Sequence, residues 1–107
     1  MKRVSVPLAS LALALAAAPA SAEGDAAAGK ALAEEHCARC HDVSAEGAFK
    51  TYPPSFASIA AFRPTEQIYS RIVFPVAHSD MPDTAFYMLS RGEVDDVVAY
   101  IESLERP

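Results

Sequence analysis

Cys37-Ala38-Arg39-Cys40-His41 is the stretch on which the reading of this chain turns. In C-x-x-C-H the two thiols are spaced to add across the two vinyl groups of one haem, and the histidine that comes next lies beneath the iron. Three rival chemistries use the same cysteines: a thioredoxin-like redox pair, half of a zinc site and a structural disulfide. A redox pair expects a βαβ frame, and nothing in the chain alternates with period two over a useful length. Zinc needs a fourth ligand, for which His36 or His78 would have to be recruited. The motif therefore reads as covalent attachment of one haem through Cys37 and Cys40, with His41 as a ligand of the iron. The other ring nitrogen of His41 then needs an acceptor to fix the ring, and the backbone carbonyls of Pro53 and Pro54 are candidates.

Upstream, Asp25 is placed to cap a helix over Ala26 to Ala38, with Ala28, Leu32 and His36 on one face. Ahead of it, residues 1–22 read as a secretory signal. Lys2 and Arg3 form the positive end, Leu8 to Ala18 the apolar run, and Ala20-Ser21-Ala22 the cleavage site, leaving a domain over 23–107. The apolar run ends at Pro19, short of the ~20 residues that span a bilayer, so no membrane-spanning segment is expected after cleavage. Export implies a periplasmic protein, in the compartment where haem attachment occurs. Two cysteines there would ordinarily form a disulfide, and attachment explains why these need not.

Downstream, His41 to Pro54 is punctuated by Gly47, Pro53 and Pro54 and reads as loop. Phe56, Ile59 and Ala60 suggest one short helical turn. Thr65 stands as an N-cap for a helix over Glu66 to Phe74, which Pro75 ends. Val76 to Leu89 has no clear period. Ser90-Arg91-Gly92-Glu93 is a capping box, and Val94, Val97, Val98, Ile101 and Leu104 repeat at helical spacing behind it. The fold class is all-α.

The net charge of −5 at pH 7 becomes two units more negative once Lys2 and Arg3 leave with the signal. That excludes nucleic acid as a natural partner and suits docking onto a basic protein patch. A domain this short barely offsets its chain entropy and needs a staple or cofactor.

The iron's other face has three candidate ligands, Met81, His78 and Met88. Met81 is favoured, because Pro82 behind it stiffens the chain and removes an amide that would need a partner beside an apolar haem face. Met88, next to Phe86 and Leu89, fits core filler better.

These features together resemble class I cytochromes c, and the resemblance covers nearly the whole chain after the signal. It rests on Gly24-Asp25 and Gly29 ahead of Cys37, Cys40 and His41, then Pro54-Ser55-Phe56, His78-Ser79-Asp80-Met81-Pro82, and Val97 with Tyr100-Ile101. The resemblance implies a small cytochrome c fold, with first and last helices crossing at Gly29 and one or two short helices and loops around a single haem. It also implies that Pro54 offers its carbonyl to His41 and that Met81 closes the iron's other face. Two departures stand out: Ala33 occupies a position often held by a bulky aromatic, and the interval from His41 to Met81 is short, as in the small bacterial members. Tyr52, Arg63 and Arg71 are candidate partners for the haem propionates.

With both axial positions filled, the function implied is that of a soluble electron carrier and not an enzyme. It would be a monomer that docks transiently on a periplasmic dehydrogenase, cytochrome complex or oxidase. A gas-binding or peroxide-reactive haem protein and a haem subunit of a periplasmic dehydrogenase are the alternatives. Because haem completes so small a core, the apoprotein is expected to be largely disordered. A Cys37→Ala, Cys40→Ala variant made without haem is expected to show no cooperative thermal transition by circular dichroism; a native-like transition would refute this.

Overall fold

The computed structural model describes residues 1–10, 12, 24–74, 78 and 89–104. The proposed cleavage site at Ala20-Ser21-Ala22 lies outside them, as do Met81, Pro82 and Met88. Among the described residues there are four helices, in the order α1 (Ala26–His36), α2 (Phe56–Phe62), α3 (Thr65–Val73) and α4 (Arg91–Ser103). The all-α reading holds. Among the described residues no helix is long and apolar enough to cross a membrane.

Helix α1 begins where Asp25 accepts hydrogen bonds from the backbone N–H groups of Ala27 and Ala28, at 2.9 and 3.2 Å. It ends at His36, two residues short of the sequence expectation, because the chain from Cys37 winds into a tighter turn. The stripe it buries is Gly29 and Ala33, while Ala28, Leu32 and His36 are only half-buried. The core line thus sits one residue along from the expected face.

The reason is the approach of α4. A Cβ on Gly29 would lie 1.8 Å from the Asp96 carbonyl oxygen and 2.9 Å from Tyr100 Cβ, so only glycine fits at the crossing. One turn on, Ala33 is fully buried. Small residues take the line of closest contact and larger ones flank it. Gly24 meets the same helix from the other end: its φ of +121° lies where glycine is favoured, and a Cβ there would lie 2.3 Å from the Asp95 carbonyl oxygen. Between them the Asp25 N–H donates to Asp96 Oδ1 at 2.7 Å.

Helix α4 starts in the expected capping box, Ser90 Oγ accepting from Glu93 N–H at 3.2 Å and Glu93 Oε1 accepting from Ser90 N–H at 3.1 Å. Its buried face is wider than the predicted stripe. Ala99 and Tyr100 join Val94, Val97, Val98 and Ile101, and Leu104 is half-buried. Phe56, Ala60 and Ile68 from α2 and α3 complete the core.

The expected single turn around Phe56 is a seven-residue helix, capped by Ser55 Oγ on Ser58 N–H at 3.1 Å. Helix α3 starts one residue earlier than expected, with Pro64 at the N-cap position. Thr65 does not cap it, because its hydroxyl donates to the Glu102 carboxylate on α4.

Gly29→Ala is expected to cost at least about 1–3 kcal/mol, the usual penalty for overpacking, because the obstruction is backbone and cannot swing aside. A fall in the thermal midpoint of the haem-loaded protein checks this; an unchanged midpoint would mean that the crossing is slack.

Candidate cofactor site

Cys37 closes α1, its N–H donating to the Ala33 carbonyl at 2.8 Å. The Cys37 carbonyl then accepts from both Cys40 N–H, at 3.2 Å, and His41 N–H, at 2.9 Å, winding the motif into one turn. Both cysteines are free thiols, Cys37 half-buried against the core and Cys40 exposed. Burial pushes the Cys37 thiol up to about 11, so it stays protonated near neutrality. Among the described residues no three His, Cys, Asp or Glu side chains gather as a metal site, so the zinc reading finds no support there.

His41 is half-buried, and its Nδ1 lies 2.6 Å from the Pro54 carbonyl oxygen. A carbonyl only accepts, so Nδ1 carries the proton and Nε2 keeps the lone pair that a metal needs. Pro54 is presented by a turn over residues 51–54, closed by a bridge between Thr51 and Pro54 and containing a cis Tyr52-Pro53 peptide.

The flanking chain is held by hydrogen bonds at successive residues. The Asp42 carbonyl accepts from Phe56 N–H at 2.8 Å, and Asp42 Oδ1 accepts from the N–H and Oγ of Ser44 at 3.0 and 2.8 Å. Those bonds, the backbone one first, hold the Asp42 carboxyl below its usual range. The Val43 carbonyl accepts from the Tyr100 hydroxyl at 2.6 Å. Burial leads, and the charges of Glu34, Glu46 and Asp42 come after it, in raising the Tyr100 phenol, so it stays a donor. The ring centre of Phe56, a residue only 3% exposed, stands 5.6 Å from that of His41.

Ser55 and Ser58 were not legible as site residues. Both are buried, their hydroxyls 2.8 Å apart, and Ser58 Oγ also accepts from Lys50 N–H at 3.2 Å, tying the loop to α2. Ser55-x-x-Ser58 beside Pro54 was the available signal.

His78 is half-buried, its ring centre 6.3 Å from that of His41 with the planes at 56°. Burial depresses its basicity most; a hydrogen bond to the Arg71 backbone opposes this, and the nearby His41 adds to it. Met81 falls outside the described residues, so the structure places no thioether. Of the candidate propionate partners, Tyr52, Arg63 and Arg71 are exposed, and Arg63 Nη1 donates to Gln67 Oε1 at 3.2 Å.

Two free thiols in one turn, an imidazole with its outer nitrogen already engaged, and an aromatic ring beside it fit a covalently held haem. The cytochrome c family model matches residues 26–105, and the chain belongs to that family. It is 39% identical over 99 residues to a protein named cytochrome c-552 from Bradyrhizobium diazoefficiens, a match covering 88% of this chain and 89% of that one. No solved structure matches. With the family come haem c, its iron and the transfer of electrons.

Tyr100→Phe is expected to cost about 1 kcal/mol, the net worth of one hydrogen bond, and to release the Val43 carbonyl next to the motif. Thermal melts of the haem-loaded variant check this, and a midpoint at or above wild type would contradict it.

Proposed function

We propose that the chain is an exported, monomeric electron carrier of the periplasm, its haem bonded to Cys37 and Cys40 and its iron held between His41 and Met81. The observation that carries this reading is the 2.6 Å bond between His41 Nδ1 and the Pro54 carbonyl. It fixes the ring's tautomer and rotation and leaves Nε2 as a basic, oriented donor. When bound, the haem supplies a one-electron ferrous–ferric couple.

The protein's contribution is to hold that couple steady. His41 is braced from both sides, by the Cys37 turn and by the Pro54 carbonyl, so little needs to rearrange as the iron's charge changes. Phe56 and the α1–α4 core put apolar groups beside the site, which disfavours the extra charge of the ferric form. A soft Met81 thioether works in the same direction, giving a positive potential. With His41 and Met81 both holding the iron, no site would remain for substrate, so the protein would act as a carrier and not as a gas-binding or peroxide-reactive protein. Residues 1–22 support export and cleavage after Ala22, giving the domain 23–107. Its acidic balance suits brief docking on basic patches of periplasmic redox partners, such as a dehydrogenase, a cytochrome complex or an oxidase.

The ferric protein is expected to show the weak near-infrared band of methionine-ligated haem, and Met81→Ala is expected to abolish it and lower the potential. A spectrum unchanged by Met81→Ala would remove Met81 from the iron. Co-purification of a large stoichiometric partner would favour a dehydrogenase subunit over a free shuttle.

A further inference from the structure

We propose that His78 is an alternate ligand of the iron, able to take the face opposite His41 in place of the thioether. This rests on the reading of a haem held by His41.

The spacing of the two rings is the first ground. Two metal–imidazole bonds of ~2.0–2.1 Å end to end span about 4 Å, and half a ring's width on either side fills most of the rest. The 6.3 Å between the ring centres of His41 and His78 matches the separation of two imidazoles with one metal ion between them. The 56° between the ring planes fits such a pair, since two axial imidazoles can rotate freely about a shared metal axis.

The second ground is the way each ring is anchored. Ligand imidazoles almost always give their other nitrogen to a carbonyl or carboxylate. His41 does so through Pro54, and His78 is hydrogen-bonded to the Arg71 backbone in the last turn of α3. Both histidines thus have a backbone partner. His78 is also half-buried, so its ring is not an ordinary surface side chain.

The exchange moves neither electrons nor protons when the imidazole is neutral: one iron–sulfur bond breaks and one iron–nitrogen bond forms. Nitrogen is the harder donor and favours ferric iron more than a thioether does, so the alternate state belongs mainly to the oxidised protein and carries a lower potential.

The test uses haem-loaded Met81→Ala, His78→Ala and the double variant, read by electron paramagnetic resonance and near-infrared magnetic circular dichroism of the ferric forms. Met81→Ala is expected to stay low-spin with a bis-imidazole signature, and the double variant to turn high-spin. Added imidazole is expected to return the double variant to the low-spin form, which shows that its haem site is intact. It is expected to bind Met81→Ala roughly tenfold more weakly, as it must if His78 holds the site about nine-tenths of the time. A high-spin Met81→Ala protein that binds imidazole as tightly as the double variant would overturn the proposal. If the wild type lacks the methionine band and Met81→Ala changes nothing, the thioether reading has failed on its own. His78→Ala then decides separately: conversion to high-spin supports His78 as ligand, and no change refutes it.

Discussion

The approach of α4 to Gly29 is the constraint on which the remaining geometry depends. With no Cβ at Gly29, the Asp96 carbonyl comes where a side chain would otherwise stand, and the two helices touch along backbone. That contact buries Ala33, Val97, Tyr100 and Ile101 together, in a chain with little other core to draw on. Because Cys37 lies two turns along α1 from Gly29, fixing the crossing also fixes where the first thiol emerges. Tyr100 faces Gly29 and gives its hydroxyl to Val43, so the same helix that sets the crossing holds the chain just beyond His41.

The loop beyond His41 is ordered mainly through hydrogen bonds. Val43 is only half-buried, and Phe49 and Tyr52 are exposed, so burial contributes little to it. Instead Asp42, Val43, Lys50, Pro54, Ser55 and Ser58 each hold or receive a polar partner. One such bond contributes only about 0.5–1.5 kcal/mol net, but several in sequence leave the loop few alternatives. For the imidazole proposed to hold the iron, which must keep one orientation through a change of charge, directional bonds restrict rotation more than apolar packing does. Phe56 adds an apolar neighbour beside the ring.

The parts of the molecule that were legible in the sequence are those set by local chemistry. The capping box at Ser90 and Glu93, the Asp25 cap and the helical spacing of Val94, Val97 and Ile101 depend on neighbours within a turn or two, and each was readable. The cofactor motif was readable for the same reason. Tertiary choices were less so. The face of α1 is displaced by one residue because close approach selects the smallest side chains, whereas a hydrophobic pattern selects Leu32. Thr65 has the chemistry of a cap, but Glu102, far along the chain, supplies a better partner for its hydroxyl. Nothing local announces that the surroundings of Ser55 and Ser58 are dry. Pro54 is singled out by resemblance alone; residue chemistry leaves Pro53 equally eligible.

A histidine within reach of the iron alters what a ligand does in an electron carrier. Linkage is reciprocal: if oxidation strengthens the binding of His78 over a thioether, then the binding of His78 must oppose reduction by the same factor. The brace on His41 is common to both states, since the Pro54 bond and the Cys37 turn do not involve the opposite face. Any difference between the two states therefore arises on the His78 side. There the bond to the Arg71 backbone ties His78 to the helix just before it, a local tether, whereas the loop after His41 is held by partners from α2 and α4. One histidine is built into a frame drawn from several elements. The other is tied to its own neighbouring helix, as a ligand that has to come and go requires.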